Sequence, residues 1–313
     1  MAITIPVTTE KQISLEEFVA YVRRYCDPDD DPSVCAAAEM LRALANNRTF
    51  MAEKLTAELL AWRKPQVALS YTSQAFTLEY FGRFMVRANI WEPAVKGASA
   101  DLKAWHDSLY LYDLAHDHNF KFMTVGYHGS GYATKIYRVD PEAVSGKVGD
   151  YVPLEHDETT TLPVGKVMFY EEYRDVHVQA QPATLSVSLN LLVSNHVNDF
   201  VDQHFFDLRT STISACPATN SNGVRNLLCR LAQHVGDERT VDALEEVSAA
   251  HPAHRVRVAA LEALAGRSPS SRELVWRRGL ADRHVYVRDR ARDALEGGGG
   301  VTESITPTRA RSA

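Results

Sequence analysis

The sequence predicts an α+β fold in which helical segments flank a β-rich middle. Two observations predict it. Between residues 72 and 215, short segments rich in Val, Tyr, Phe and Thr are separated by Gly and Pro, a pattern typical of an all-β sandwich or barrel. Before and after this stretch, apolar residues recur at helical spacing. We therefore expect an N-terminal helical region at 1–71, a β domain at 72–215, helices at 216–296 and a flexible Gly-rich tail at 297–313.

Composition argues against several classes of protein. The 313 residues carry a net charge of −6 with no basic stripe, so a nucleic-acid partner is not expected. The four cysteines lack CxxC spacing, which argues against a zinc knuckle. No run of about 18 apolar residues predicts a membrane-spanning helix, and no secretory signal pattern opens the sequence. We therefore expect a cytoplasmic protein without a membrane partner.

The N-terminal region contains a clear signal for the start of a helix. Ser14 and Glu17, three residues apart, form the pattern of a capping box. The run DPDDDP at 27–32 should end that helix, and segments 33–46 and 49–63 have the pattern of two further amphipathic helices.

Farther along, the run YLYDL at 110–114 predicts a strand that leads into the β-rich region.

The C-terminal region repeats itself at a period of about 32 residues. Segment 256–264 (VRVAALEAL) aligns with segment 287–295 (VRDRARDAL), and Val224 begins a more divergent third copy. The pattern resembles short HEAT-like helical repeats. That resemblance implies a surface for a protein or peptide partner. Unrelated amphipathic helices are the alternative interpretation.

Three histidines form the candidate metal site. His116 and His118 are two residues apart, and on a strand such residues point to the same face. His177 opens another β-rich segment, 59 residues after His118. Two ligands from one segment and a third from a distant one would leave open coordination positions, as a catalytic metal site requires. We therefore expect the three imidazoles to bind one divalent metal.

The surrounding motifs resemble those of the cupin family. The matching residues are His116, His118 and Gly126 for the first cupin motif, and Pro163, Gly165, His177 and Asn190 for the second. The resemblance implies a double-stranded β-helix barrel. The glutamate usual in the first motif is missing, because residues 120–123 are Phe, Lys, Phe and Met. The sequence is therefore similar to three-histidine cupins such as the thiol dioxygenases, although Met123 stands where their Cys–Tyr crosslink would begin.

This resemblance implies a mononuclear non-haem iron(II) oxygenase, oxidase or dioxygenase that uses O₂. Three neutral imidazoles would leave the charge of the metal uncompensated, which favours an amino-acid-like or other small anionic substrate, free or carried on a protein or peptide. Imidazole also accepts manganese, nickel and zinc. No Ser/His/Asp or Cys/His pattern predicts a catalytic side chain besides the metal ligands. The alternative is a non-catalytic metal-binding sensor or interaction module built from the same parts.

Several polar residues on the predicted strands are candidates for contact with that substrate. They are Arg87, Lys135, Tyr137, Tyr170 and Arg174. Arg87 would suit a carboxylate, because a guanidinium binds it through two parallel hydrogen bonds. Lys135 and Tyr137 share one face of their segment, since side chains alternate along a strand. A solvated position on the outer face is the alternative for each.

Two further patterns offer competing interpretations. His156 and Glu158 form an HxE string like that of two-oxoglutarate oxygenases, but those enzymes need a distant third histidine and His177 follows only 19 residues later. The Gly-rich stretch at 126–131 suggests a phosphate loop, but it lacks the Lys-Ser/Thr ending and a following helix. We expect it to form a hairpin turn instead.

Overall fold

The computed structural model describes residues 2–61, 72, 74–194, 200–217 and 221–297. These residues belong to two compact units, one made of residues 1–138 with 155–195 and the other of residues 139–154 with 196–313. The four-part division expected from the sequence remains a prediction. Most of the expected tail, and the last two residues of the helix expected at 49–63, lie outside the described residues. Within the described residues, no helix is both long and apolar enough to cross a membrane.

The described part of the first unit contains five α-helices, of which the first four share a core with one face of a sheet. The helices are α1 (Leu15–Tyr25), α2 (Asp31–Ala36), α3 (Ala38–Asn46), α4 (Phe50–Leu60) and α5 (Ala100–Tyr110). The predicted capping box starts α1: Glu17 N–H donates to Ser14 Oγ at 3.1 Å, and Ser14 N–H donates to Glu17 Oε2 at 2.7 Å. Helices α1 and α3 bury their apolar faces in the core because their apolar residues recur with the helical period.

Two antiparallel sheets organise the strands of this unit. Their strands are β1 (Ile3–Ile5), β2 (Ala75–Phe81), β3 (Phe84–Trp91), β4 (Ala115–His116), β5 (Lys121–His128), β6 (Ala133–Arg138), β7 (Glu155–Thr161), β8 (Val167–Tyr170), β9 (Asp175–Gln179) and β10 (Ser186–Val193). The first sheet has the order β1-β8-β5-β10-β3-β2, and in the second β4, β9, β6 and β7 lie side by side. This arrangement confirms a mixed fold with a β-rich middle.

The first sheet is buried on both faces. One face packs on α1 and α3 through a core that includes Phe18, Leu41 and Val125. The other face shares an aromatic-rich core with the second sheet, in which Phe122 and Tyr170 of the first sheet meet Ile136 of β6. The candidate site lies in this layer between the two sheets.

Two predictions about the β-rich region were wrong. Residues 110–114 do not form a strand: Tyr110 ends α5, and Leu111 and Asp113 adopt left-handed backbone conformations with φ of 55° and 58°. The prediction failed because Tyr110 and Tyr112 are buried core aromatics. Their spacing of two residues resembles the alternation of a strand, but the backbone here is not extended. The stretch at 126–131 is not a hairpin either, since β5 and β6 belong to different sheets. It crosses between the sheets through Gly131 (φ 70°), where a Cβ would lie 2.0 Å from Leu162 O.

Within its described residues, the second unit combines a strand pair with five α-helices. They are β11 (Phe205–Asp207) and β12 (Thr212–Ala215), followed by α6 (Ser221–Val235), α7 (Glu238–Ala250), α8 (His254–Arg267), α9 (Arg272–Gly279) and α10 (Val285–Leu295). Helix α8 is apolar over most of its surface and lies at the centre of this group, in contact with the four others. The buried Arg257 side chain at its start donates two hydrogen bonds to Asp282, both of 2.7 Å.

Candidate metal centre

The pairing of β4 with β9 brings two of the three histidines together. His116 on β4 lies directly opposite His177 on β9, and residues paired in this way project their side chains from the same face. His118 lies two residues beyond the end of β4. Its side chain therefore reaches the same point from a loop and not from a strand, which differs from the expectation that both residues of the HxH motif share one strand.

The loop that carries His118 is held by the turn before β9. Tyr173 N–H donates to His118 O at 2.9 Å, and Tyr173 Oη donates to Asn119 O at 3.2 Å. Tyr173 has a left-handed backbone with φ of 61°, an uncommon conformation for a bulky residue. Such strain persists only where the surrounding structure enforces it. This turn therefore ties the segment of His118 to the segment of His177.

The three imidazoles have the spacing of metal ligands. His177 Nε2 lies 3.1 Å from His118 Nε2 and 3.1 Å from His116 Nε2, and one ligand atom of each residue lies within 4.8 Å of the others. Two nitrogens bound at about 2.1 Å to one metal are roughly 3.0 Å apart at a right angle and about 3.4 Å apart at a tetrahedral angle. The observed spacing falls in this range. The residues present therefore fit a divalent metal.

Burial keeps these imidazoles neutral, the form that binds a metal. His116 and His177 are buried and His118 is half-buried. Burial lowers the pKa of His116, and it lowers the pKa of His118 and His177 well below the ordinary value. The Nδ1–H of His116 donates to Leu114 O at 2.9 Å, which leaves Nε2 as the lone-pair nitrogen facing the cluster. A hydrogen bond of this kind orients a metal-binding histidine.

Gln179 packs against His177 and was not anticipated from the sequence. Its amide nitrogen lies 3.2 Å from His177 Nδ1 and 3.1 Å from His177 Nε2. Because it is nearly equidistant from both ring nitrogens, the amide lies over the face of the imidazole. Gln179 is 4 % exposed, and its Oε1 has no hydrogen-bond partner within the described residues. The period-2 rule, which places residues 177 and 179 on one face, could have identified it.

Aromatic rings enclose the cluster. The ring centroid of Phe120 lies 4.6 Å from that of His118, and the ring of Tyr170 lies 5.1 Å from that of His177. Phe122 stacks on Tyr170 and meets His118 edge-on at 5.1 Å. Burial raises the pKa of Tyr170 well above its ordinary value, so its hydroxyl stays protonated. The wall of the site is thus largely aromatic, and the Tyr170 hydroxyl donates to Met168 Sδ at 3.9 Å.

A partly buried arginine faces the same space. Arg87 on β3 pairs with Asn190 on β10, which pairs in turn with Thr124 on β5, so these three side chains form a polar row on one face. The Arg87 guanidinium lies 5.9 Å from the Phe120 ring centroid, and its charge helps to lower the pKa of His118. Within the described residues it forms no ion pair, and its Nε has no hydrogen-bond partner.

Burial lowers the pKa of Arg87 from 12.5 to about 10, so the group is still charged at neutral pH. Buried charges in proteins are normally paired. A second orphaned atom, Asn89 Oδ1, lies two residues along the same strand and on the same face. Buried polar atoms without partners indicate a place where a ligand or water completes the hydrogen bonds.

The other sequence-predicted residues lie away from this cluster. Thr134 and Ile136 are the buried residues of β6, and Ile136 pairs with His177, so Lys135 and Tyr137 lie on the opposite face. Arg174 is exposed in the turn before β9. Of the five candidate substrate residues, the structure brings only Arg87 and Tyr170 to the histidines.

The competing HxE string does not form a metal cluster within the described residues. His156 is exposed on β7, and its Nε2 lies 2.9 Å from Thr159 Oγ1. Among the described His, Cys, Asp and Glu side chains, only His116, His118 and His177 come together as a group of three with metal-ligand spacing.

Comparison with known proteins gives only distant structural likenesses. No protein-family model matches the sequence, and no curated protein matches it. A DMSP lyase structure matches 41 % of this chain and 50 % of its own chain, with 13 % identity and a TM-score of 0.25. Salicylate 1,2-dioxygenase from Pseudaminobacter salicylatoxidans matches over 46 % of this chain and 33 % of its own, with 12 % identity and a TM-score of 0.25.

A second DMSP lyase, DddQ from Ruegeria pomeroyi, matches over 63 % of this chain and 79 % of its own, with 10 % identity and a TM-score of 0.24. The chain thus spans half or less of the first lyase and of the salicylate dioxygenase. Likenesses this weak do not bear on function, so the functional argument depends on the site itself.

Proposed function

We propose that the chain is a mononuclear metal-dependent oxygenase or oxidase that binds iron(II) through His116, His118 and His177 and acts on a small anionic substrate. The observation that carries this proposal is the 3.1 Å spacing of the histidine Nε2 atoms beside Arg87, which forms no ion pair within the described residues. Imidazole sets of this kind suit iron, zinc, copper and nickel. Iron is the first candidate because three protein ligands leave open positions for both substrate and dioxygen.

The side chains around the cluster have distinct roles in this proposal. The bound metal would supply the redox chemistry that joins dioxygen to the substrate. Arg87 receives the carboxylate of the substrate, which then satisfies the buried guanidinium. Phe122 and Tyr170 exclude water, which strengthens the electrostatic contacts inside the site. Gln179 holds the ring of His177, and its free Oε1 accepts a hydrogen bond from the substrate.

The finer architecture belongs to the same proposal. The two face-to-face sheets of the first unit are proposed to be a cupin-like barrel, and helices α6–α10 to be HEAT-like repeats. The spacing of the histidines and the sequence repeat at 256–264 and 287–295 support these assignments. With such repeats, an amino-acid-like substrate could reach the site on a carrier protein or peptide.

Metal content tests the proposal directly. The purified protein and its His116→Ala and His177→Ala variants are analysed for bound metal after loading with iron(II) under anaerobic conditions. We expect about one equivalent in the parent protein and a loss of at least tenfold in affinity in each variant. His128→Ala is the matched control, because His128 is an exposed histidine at the end of β5. Equal metal content in all four proteins contradicts the assignment.

Oxygen uptake separates catalysis from binding alone. The iron-loaded protein is offered a panel of amino acids, thiols and simple carboxylates while dissolved oxygen is measured. Uptake that depends on one class of anion, and that is lost in His177→Ala, supports an oxygenase. A protein that binds metal but consumes no oxygen with any of them is instead a non-catalytic metal-binding module.

A further inference from the structure

Helix α6 exposes an apolar stripe along its whole length. Its members are between 49 % and 72 % exposed and are Val224, Leu227, Leu228, Leu231 and Val235. They recur at spacings of three, four and seven residues, so they lie on one face. The opposite face packs on α8, where Cys229 is buried and the Arg267 guanidinium donates to Ala232 O at 2.8 Å. The stripe therefore points away from the core of its own unit.

The sequence repeat indicates what such a face contacts. In the aligned segments, the positions of Val224, Leu228 and Leu231 correspond to Val256, Ala260 and Ala263 in α8, and to Val287, Ala291 and Ala294 in α10. All six of these counterparts are buried. In α10 the preceding helix covers this face, since a Cβ added to Gly279 of α9 would lie 3.0 Å from the Ala291 Cβ. The corresponding face of α6 is therefore shaped to receive another helix.

No α-helix within the described part of this unit precedes α6, and β11 and β12 are the last elements before it. An end of a helical stack normally carries a polar outer face. Here the outer face is apolar, with leucines where the internal copies have alanines. An amphipathic helix from outside the described part of this unit would therefore complete the stack.

Helix α4 has the complementary properties. Its Leu55, Leu59 and Leu60 are 48–76 % exposed, so it also carries an apolar face that no described residue covers fully. Its charged residues include two carboxylates, Glu53 and Glu58, and one lysine, whereas α6 carries Arg225 and Arg230 and no acidic residue. Apolar faces flanked by opposite charges attract and orient one another.

We propose that α4 of one copy of the chain packs on the α6 stripe of a second copy. Two copies related by a twofold axis form two equivalent contacts, since α4 and α6 are present in each. Protein partners commonly recognise each other by packing the apolar face of one helix on an apolar surface of the other. The proposal does not depend on the metal site, and the two are tested by different measurements.

The mass of the particle in solution tests it. Sedimentation and light scattering are applied to the full-length chain, to an α6 variant (Leu228→Glu, Leu231→Glu) and to an α4 variant (Leu55→Glu, Leu59→Glu). We expect a dimer for the parent and monomers for both variants. Leu274→Glu is the matched control, because it changes a leucine on α9 that is 57 % exposed, and it should remain dimeric. Far-UV circular dichroism verifies that each variant is folded.

Mixing the two variants identifies the partner surface. The α6 variant keeps an intact α4, and the α4 variant keeps an intact α6, so an equimolar mixture should recover one of the two contacts and form a heterodimer. Pairing of α6 with another α6 predicts no recovery. A parent protein that stays monomeric up to its solubility limit, or a mixture that stays monomeric, overturns the proposal.

Discussion

Replacement of Arg87 by methionine separates two effects of its charge: the cost to folding stability and the contribution to binding an anionic ligand. The side chain is charged and nearly buried, and no carboxylate of the described residues pairs with it. Methionine keeps most of the unbranched apolar stem and removes the charge. Because an unpaired buried charge opposes folding, we expect Arg87→Met to leave the protein as stable as before or more stable, while it weakens the binding of an anionic ligand.

The magnitude of the stability change follows from the pKa. Burial lowers the pKa of Arg87 from 12.5 to about 10, which corresponds to about 3 kcal/mol of disfavoured charge at roughly 1.4 kcal/mol per tenfold change. This value is the upper limit of the gain in unfolding free energy. A hydrogen bond to a charged group contributes about 2 kcal/mol, so the dissociation constant of a carboxylate ligand should rise roughly thirtyfold.

Two assays test this reasoning. Urea denaturation of the metal-free protein gives the free energy of unfolding, and calorimetric titration of the metal-loaded protein with the carboxylate that supports oxygen uptake gives the dissociation constant. Arg24→Met, at an exposed arginine on α1, is the control for loss of one positive charge. A destabilised Arg87→Met protein whose carboxylate affinity is unchanged would show that Arg87 is a structural residue, and would refute the assignment.

Three further changes have defined outcomes. Tyr173→Phe removes the hydroxyl that donates to Asn119 O, so metal affinity should fall about tenfold at constant melting temperature; unchanged affinity counts against a positioning role. Asp282→Ala leaves the buried guanidinium of Arg257 unpaired and should lower the free energy of unfolding by about 3–5 kcal/mol in urea. Burial lowers the pKa of His254 to about 3, so the unfolded chain takes up the proton first, and stability falls as the pH drops from about 6.5 toward 3. His254→Gln should therefore lose less melting temperature on acidification than the parent, and an equal loss would be contrary to this account.

The sequence predicted the histidine cluster because the positions of the histidines along the chain can be interpreted physically without knowledge of the fold. His116 and His177 lie opposite each other on paired strands, whereas the period-2 rule had placed His116 and His118 together on one strand. The position of His118 depends instead on a loop held by Tyr173 from a distant segment. Long-range hydrogen bonds of that kind leave no periodic signal in the sequence.

The candidate substrate residues show that a sequence pattern cannot tell which face of a strand meets the site. Lys135 and Tyr137 were correctly placed on a common face, but the pattern alone does not say which face meets the site. A shift of one residue in register reverses every side chain of a strand, and the register of β6 is set by its pairing with β9. Helix α5 was missed for a related reason, because its buried aromatic end has the composition of a strand.

Charge links the three-histidine cluster to Arg87 in the candidate site. The three imidazoles are neutral and Arg87 is positive, and within the described residues no carboxylate joins the three-histidine group, although the buried Asp117 carboxylate lies close enough to act on the pKa of His116. The nearest acidic residue on the same face of β9, Asp175, accepts a hydrogen bond from Glu171 N–H at 2.7 Å, and burial raises its pKa. A divalent metal would therefore add two positive charges beside a buried cation. An anionic ligand relieves both, so it must raise the affinity for the metal by the same factor by which the metal raises the affinity for the anion.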